Sequence, residues 1–104
     1  MAEKREITTK AGFVCMVDED AFDDIRIFEL MSKYDNCERY EQIKLMPEIL
    51  DLFIGADQKE SMYEYLTEKE GRPKITSIEK EMASIINGLS KRKKNSSACR
   101  NGST

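Results

Sequence analysis

Short stretches rich in β-branched and apolar residues occupy the N-terminal end of the chain, and from Phe22 onwards apolar residues recur at intervals of three or four. This pattern predicts a small β-element followed by helices. Ile7-Thr8-Thr9 and Phe13-Val14-Cys15-Met16-Val17 flank Lys10-Ala11-Gly12, whose glycine suits a tight reversal, so the spacing predicts a β-hairpin ending at Asp18. Asp18-Glu19-Asp20 then offers N-cap side chains and places negative charge beside unpaired helix amides, so a first helix is expected to start there. Its apolar positions Phe22, Ile25, Phe28 or Leu30, and Met31 predict one buried stripe.

Tyr34-Asp35-Asn36-Cys37 reads as a break, after which Tyr40, Ile43, Met46, Leu50 and Phe53 carry a second helix up to Gly55. Pro47 lies inside it, which leaves two readings open: a kinked helix or two short ones. Asp57-Gln58-Lys59-Glu60 has capping-box spacing and predicts a third helix from near Gln58. That helix carries Met62, Tyr65 and Leu66 on one side and should stop at Gly71, before Pro73. Thr76-Ser77-Ile78-Glu79 repeats the box, and Ile78, Met82, Ile85, Ile86 and Leu89 form the clearest amphipathic stripe in the chain. Beyond Ser90 the residues are basic, small and polar. The expectation is mainly α: about four short helices with an N-terminal β-hairpin as one domain over 1–90, and a flexible basic tail over 91–104.

Composition is compatible with a folded domain, since 39% of the 104 residues are hydrophobic, 36% are charged, and only two are proline. The charge is divided unevenly. Before position 91 twelve basic residues face all twenty acidic ones and leave −8, whereas Lys91, Arg92, Lys93, Lys94 and Arg100 give the remainder +5. The longest apolar runs, Phe13 to Val17 and Leu52 to Ile54, are too short to span a bilayer, and the first residues lack a secretory h-region, so a cytoplasmic location is expected. Cys15, Cys37 and Cys99 are odd in number and accompanied by no histidine, which predicts free thiols rather than disulfides or a zinc site.

The lack of histidine removes the side chain that most often moves protons near neutral pH, so no catalytic residue and no enzymatic activity is expected. Asp18, Glu19, Asp20, Asp23 and Asp24 do not have the alternating ligands and central glycine of a calcium loop, and their expected role is capping and solvation. The glycines are scattered, with neither a dinucleotide fingerprint nor a phosphate loop, and no cofactor is expected. Helices three and four around Gly71-Arg72-Pro73-Lys74 resemble a helix-turn-helix in outline, but a body of −8 repels a duplex. Methionines on the apolar faces read as core. Tyrosine is enriched at half-wet interfaces, and Tyr63 and Tyr65, two apart on one helix, should not both face the core. Candidate protein-binding residues are therefore Tyr63 and Tyr65, with Lys91, Arg92, Lys93 and Lys94 as an electrostatic arm.

Read in order, the elements resemble the tail assembly chaperone family of long-tailed bacteriophages, the lambda G-like chaperones. The resemblance covers roughly positions 4 to 90. It is carried by Glu6-Ile7-Thr8-Thr9-Lys10-Ala11-Gly12-Phe13, by Val17-Asp18-Glu19-Asp20-Ala21-Phe22-Asp23-Asp24, by Leu52-Phe53-Ile54-Gly55 with Asp57-Gln58-Lys59 behind it, and by Tyr63-Glu64-Tyr65-Leu66 leading to Glu70-Gly71-Arg72-Pro73. Pro47 and the 99–104 end depart from the pattern.

The resemblance implies a non-enzymatic chaperone that coats the helical, aggregation-prone tape measure protein, helps recruit tail tube subunits and is not part of the mature virion. Self-association is a further expectation. It also implies a longer product made by ribosomal frameshifting, for which codons of Lys93-Lys94-Asn95 would supply an A-rich slippery run. The rival expectations are a small DNA-binding regulator and a generic helical adaptor between proteins.

Overall fold

The computed structural model describes residues 3–97, with side chains through Ser90. Two strands, β1 (Lys4–Thr8) and β2 (Val14–Asp18), form an antiparallel hairpin in which Ile7 faces Cys15 and Arg5 faces Val17. The reversal closes as predicted: Thr9 N donates to Phe13 O at 2.8 Å and Gly12 N to Thr9 O at 2.9 Å. Gly12 has φ +100°, a conformation that costs other residues strain. Alternation does the rest, putting Ile7, Cys15 and Val17 on the buried face and Glu6, Val14 and Met16 on the outer one.

Three α-helices follow, so the chain is mainly helical behind its hairpin. The first helix does not start at Asp18–Asp20. Those residues form a turn in which Asp18 Oδ1 accepts from Asp20 N at 2.8 Å, and a single 3-10 turn, Ala21–Asp23, buries Ala21. The helix α1 is Ile25–Asn36, capped by Asp24, whose Oδ1 accepts from Arg26 N at 2.9 Å. The buried face also differs from the expected one. Ile27 is 1% exposed and Leu30, Met31 and Tyr34 are partly buried against the same core, whereas Ile25 and Phe28, expected inside, are exposed.

The stretches read as second and third helices run on from one another as α2 (Arg39–Glu70), two helical segments that meet at a kink at Gly55, where the second helix was expected to end. The helix passes through Pro47 and is broken only at Gly55, whose φ of 86° and ψ of 160° are not helical. The bend therefore lies eight residues beyond the proline. A helix does resume directly after Gly55, close to the start expected at Gln58, with Asp57 inside its first turn rather than at a cap. Leu45, Met46, Ile49, Leu50 and Phe53 before the bend, and Met62 and Leu66 after it, are buried, but Tyr40 is exposed. At the far end Gly71 (φ 91°) donates its N–H to Thr67 O at 2.7 Å.

The last helix, α3, is Ile75–Ser97. It begins before the expected cap, with Ile78 N already bonded to Lys74 O at 2.9 Å. It also continues beyond Ser90, where Lys91, Arg92, Lys93 and Lys94 are residues that propagate a helix well. The backbone of 91–97, expected within the tail, is thus helical, and 98–104 lie outside the described residues. Ile78, Met82, Ile85 and Leu89 are buried as their spacing predicts. Gly88 lets β1 approach, since a Cβ there would stand 3.0 Å from Ile7 Cγ2. One core results, shared by the hairpin and all three helices. No helix among the described residues is long and apolar enough to cross a membrane.

Candidate functional site

Most tyrosines singled out by the sequence hold the fold together. Tyr65 projects from α2 onto the hairpin, where its ring lies 5.6 Å from that of Phe13 and its hydroxyl donates to Ala11 O at 2.6 Å. Lys69 Nζ donates to the same carbonyl at 2.8 Å, 5.6 Å from the centre of the Tyr65 ring. Tyr63 takes the other side of α2, beside Pro47, Pro73, Ile75 and Ile78, and burial raises its hydroxyl pKa. Both are half-buried, contrary to the expectation that one is exposed, because α2 is flanked by the hairpin on one side and by α3 on the other. They do not converge on one site. For Lys91, Arg92, Lys93 and Lys94 the structure describes a helical backbone but no side chains.

Tyr34 joins three helices. Its hydroxyl donates to Glu79 Oε2 at 3.0 Å, and Arg39 clasps the same carboxylate with two bonds, at 2.7 and 3.0 Å. Glu79, expected to close a capping box, is engaged in this tertiary cluster instead. Arg39 holds its carboxyl below the ordinary carboxylate value, with Tyr34 contributing less, while burial and the Glu79 carboxylate push the Tyr34 hydroxyl up.

The buried groups offer little for chemistry. Cys15 is sealed under the hairpin, and burial, aided by the charge of Glu81, pushes its thiol up to about 11, so it is essentially all thiol at neutral pH. Glu81 is itself only 3% exposed and its Oε1 has no hydrogen-bond partner. Among the described residues no cluster of three or more histidine, cysteine, aspartate or glutamate side chains is placed to hold a metal ion.

The feature that stands apart is a ridge on α1 and the turn before it. Phe28 is 65% exposed, Ile25 64% and Phe22 38%. Phe22 packs edge-on against buried Phe53, with ring centres 5.9 Å apart, which fixes the base of the ridge to α2. Phe28 stands between depressions on either side. One, of about 880 Å³, is lined by Arg26, Glu29, Leu30, Lys33 and Leu52, and the other is formed with Phe22, Ile27, Met31 and Asp35. Clustered exposed apolar side chains of this kind are where interaction sites of folded domains are commonly found. Sequence periodicity had assigned these residues to the core; the signal that relocates them is the equally regular spacing of Ile27, Leu30, Met31 and Tyr34, which form the face that packs on the core.

No protein-family model matches the chain, and neither a curated protein nor a solved structure matches it.

Proposed function

We propose that the chain is a non-enzymatic tail assembly chaperone of a long-tailed bacteriophage. In the host cytoplasm it holds the tape measure protein and helps recruit tail tube subunits around it. Two things support this reading: the order of motifs from Glu6 to Pro73 described above, and the exposed ridge of Phe22, Ile25 and Phe28. The ridge carries the argument.

A chaperone must cover apolar stripes on another polypeptide and later release them. Covering an exposed Phe or Ile side chain contributes about 1.5–3 kcal/mol. Association costs about 4 kcal/mol or more before any surplus appears. Three ridge side chains thus give a weak, reversible grip per copy, and several copies along a repetitive helical client give a stable coat. Tube subunits, binding more extensively, can then displace it.

The test is coexpression with a fragment of the tape measure protein encoded in the same genome. The chain should keep the fragment soluble and co-purify with it, and Phe28→Ser should lose it while melting as the unaltered chain does. Failure of the unaltered chain to capture the fragment overturns the reading.

A further inference from the structure

We infer that the α1 ridge takes an amphipathic helix whose apolar stripe is bordered, on one edge, by lysine or arginine. This rests on the reading of the ridge as a polypeptide-binding surface. The charges beside Phe28 are not balanced. Asp23 and Asp24 line the depression formed by Phe22, Ile25 and Phe28, and Asp35 lines the neighbouring one with Met31 and Ser32. Asp24 is neutralised by Arg26, 2.7 Å away, but Asp23 and Asp35 make no ion pair among the described residues. Across the ridge, the larger concavity carries Arg26, Lys33 and Glu29, which is a mixed border. An incoming helix therefore meets apolar side chains in the middle, uncompensated carboxylates along one edge and mixed charge along the other.

The chain's own basic segment does not fit. Residues 91–104 offer Ala98 and Cys99 as their only apolar side chains, so they have no stripe to lay on Phe28. A second copy placing its ridge on this one would set Asp23 and Asp35 against the same carboxylates. The occupant that matches is a separate helix of about three turns along the ridge, since Ile25 to Asp35 spans about 15 Å.

The probes are three fluorescein-labelled peptides of about 20 residues, long enough to be helical. They share one leucine stripe and differ only in its border, which is lysine, glutamine or glutamate. Fluorescence anisotropy with the full chain should show the lysine-bordered peptide binding about tenfold more tightly than the glutamate-bordered one. The gap should close as salt approaches about 1 M. Phe28→Ser should weaken all three by about tenfold or more. The pair Asp23→Asn and Asp35→Asn should abolish the ranking and leave the glutamine-bordered peptide unchanged.

Equal affinities for the lysine and glutamate peptides, with Phe28→Ser still weakening both, would overturn the charge inference and keep the ridge as a binding surface. Unaltered binding by a Phe28→Ser chain of native circular dichroism and melting would overturn both. A concentration-dependent dimer that Phe28→Ser dissolves would give the ridge to a second copy and overturn the inference. Intact peptide ranking with no capture of the tape measure fragment would refute the chaperone reading alone.

Discussion

The side-chain amide of Gln58 lies against Met16 as the backbone of a third strand would. Met16 N donates to Gln58 Oε1 at 2.8 Å, and Gln58 Nε2 donates to Met16 O at 2.8 Å and to Ile54 O at 2.8 Å. Met16 pairs with Glu6 across the hairpin at a position where its own N–H and C=O point away from β1, so the amide satisfies groups that an edge strand leaves open.

Gln58→Glu should therefore be more harmful than Gln58→Ala. Glutamate keeps the acceptor but turns the donor into an oxygen facing two carbonyls, whereas alanine admits water. We expect a loss of about 1 kcal/mol for alanine and about 2 kcal/mol or more for glutamate, read from urea unfolding at pH 7. Equal losses would show that the paired amide is not what holds the edge.

Gly55 and Gly71 both have positive φ, but at different ψ, 160° and −19°. The first combination is open essentially to glycine alone, and the second lies nearer the left-handed region that asparagine tolerates. A Cβ at either position meets nothing within 4 Å, so any penalty comes from the backbone. Gly55→Asn should cost about 1–3 kcal/mol and Gly71→Asn clearly less. Thermal melts of the two variants decide, and a smaller shift for Gly55→Asn would contradict the bend.

Tyr65 ties α2 to the hairpin turn through Ala11 O. Tyr65→Phe keeps the contact with Phe13 and removes one hydrogen bond, a loss of about 1 kcal/mol. Gly12→Ala should cost more, because its Cβ would stand 2.8 Å from the Tyr65 hydroxyl oxygen and φ is +100°. Tyr65→Phe removes that hydroxyl, so the double variant should lose less than the sum of the two single losses, which a double-mutant cycle in urea measures. Strict additivity would mean that the turn and the tyrosine are not in contact.

The Tyr34–Glu79–Arg39 cluster makes stability depend on pH at both ends. Glu79 has its carboxyl pKa lowered in the fold, first by the hydrogen bond from Arg39. Its contribution is complete above the ordinary 4.5 and is lost as acid protonates the folded carboxylate. Tyr34 has its pKa raised, first by burial. Its contribution is present below the ordinary 10.0 and is lost as pH rises through the raised value. Calorimetric melts should show that Glu79→Gln flattens the fall in melting temperature below pH 4.5, and that Tyr34→Phe flattens the alkaline limb. An unchanged acid limb in Glu79→Gln would rule out this carboxylate as its source.

Periodicity was a good guide where an element meets the core along its whole length. The hairpin and its glycine reversal, and the stripe from Ile78 to Leu89, stand as their spacing requires. Cap signals were poorer guides, because a side chain that suits a cap also suits a tertiary bond. Glu79 reaches Tyr34 and Arg39, and Asp18 serves a turn, so the first helix starts seven residues later, at Ile25. The ridge was invisible because Ile25 and Phe28 have the spacing of core residues just as Ile27, Leu30, Met31 and Tyr34 do, and only the direction in which Ile27 points tells the two faces apart. Pro47 misled for a related reason. Proline disfavours a helix interior, but α2 passes through Pro47, and the break comes at Gly55, the glycine at which the periodic stripe of the second helix was expected to end.

The bend at Gly55 also sets how the molecule should respond to load. Gln58 follows it by three residues and grips β2, while Arg5 in β1 donates to Gly88 O in α3 at 3.0 Å. Tension on the N-terminus would therefore reach the elbow of α2 and the far helix together, through the hairpin. Tension on α1, by contrast, would load neither clasp and would pass to α3 through the bond from Tyr34 to Glu79.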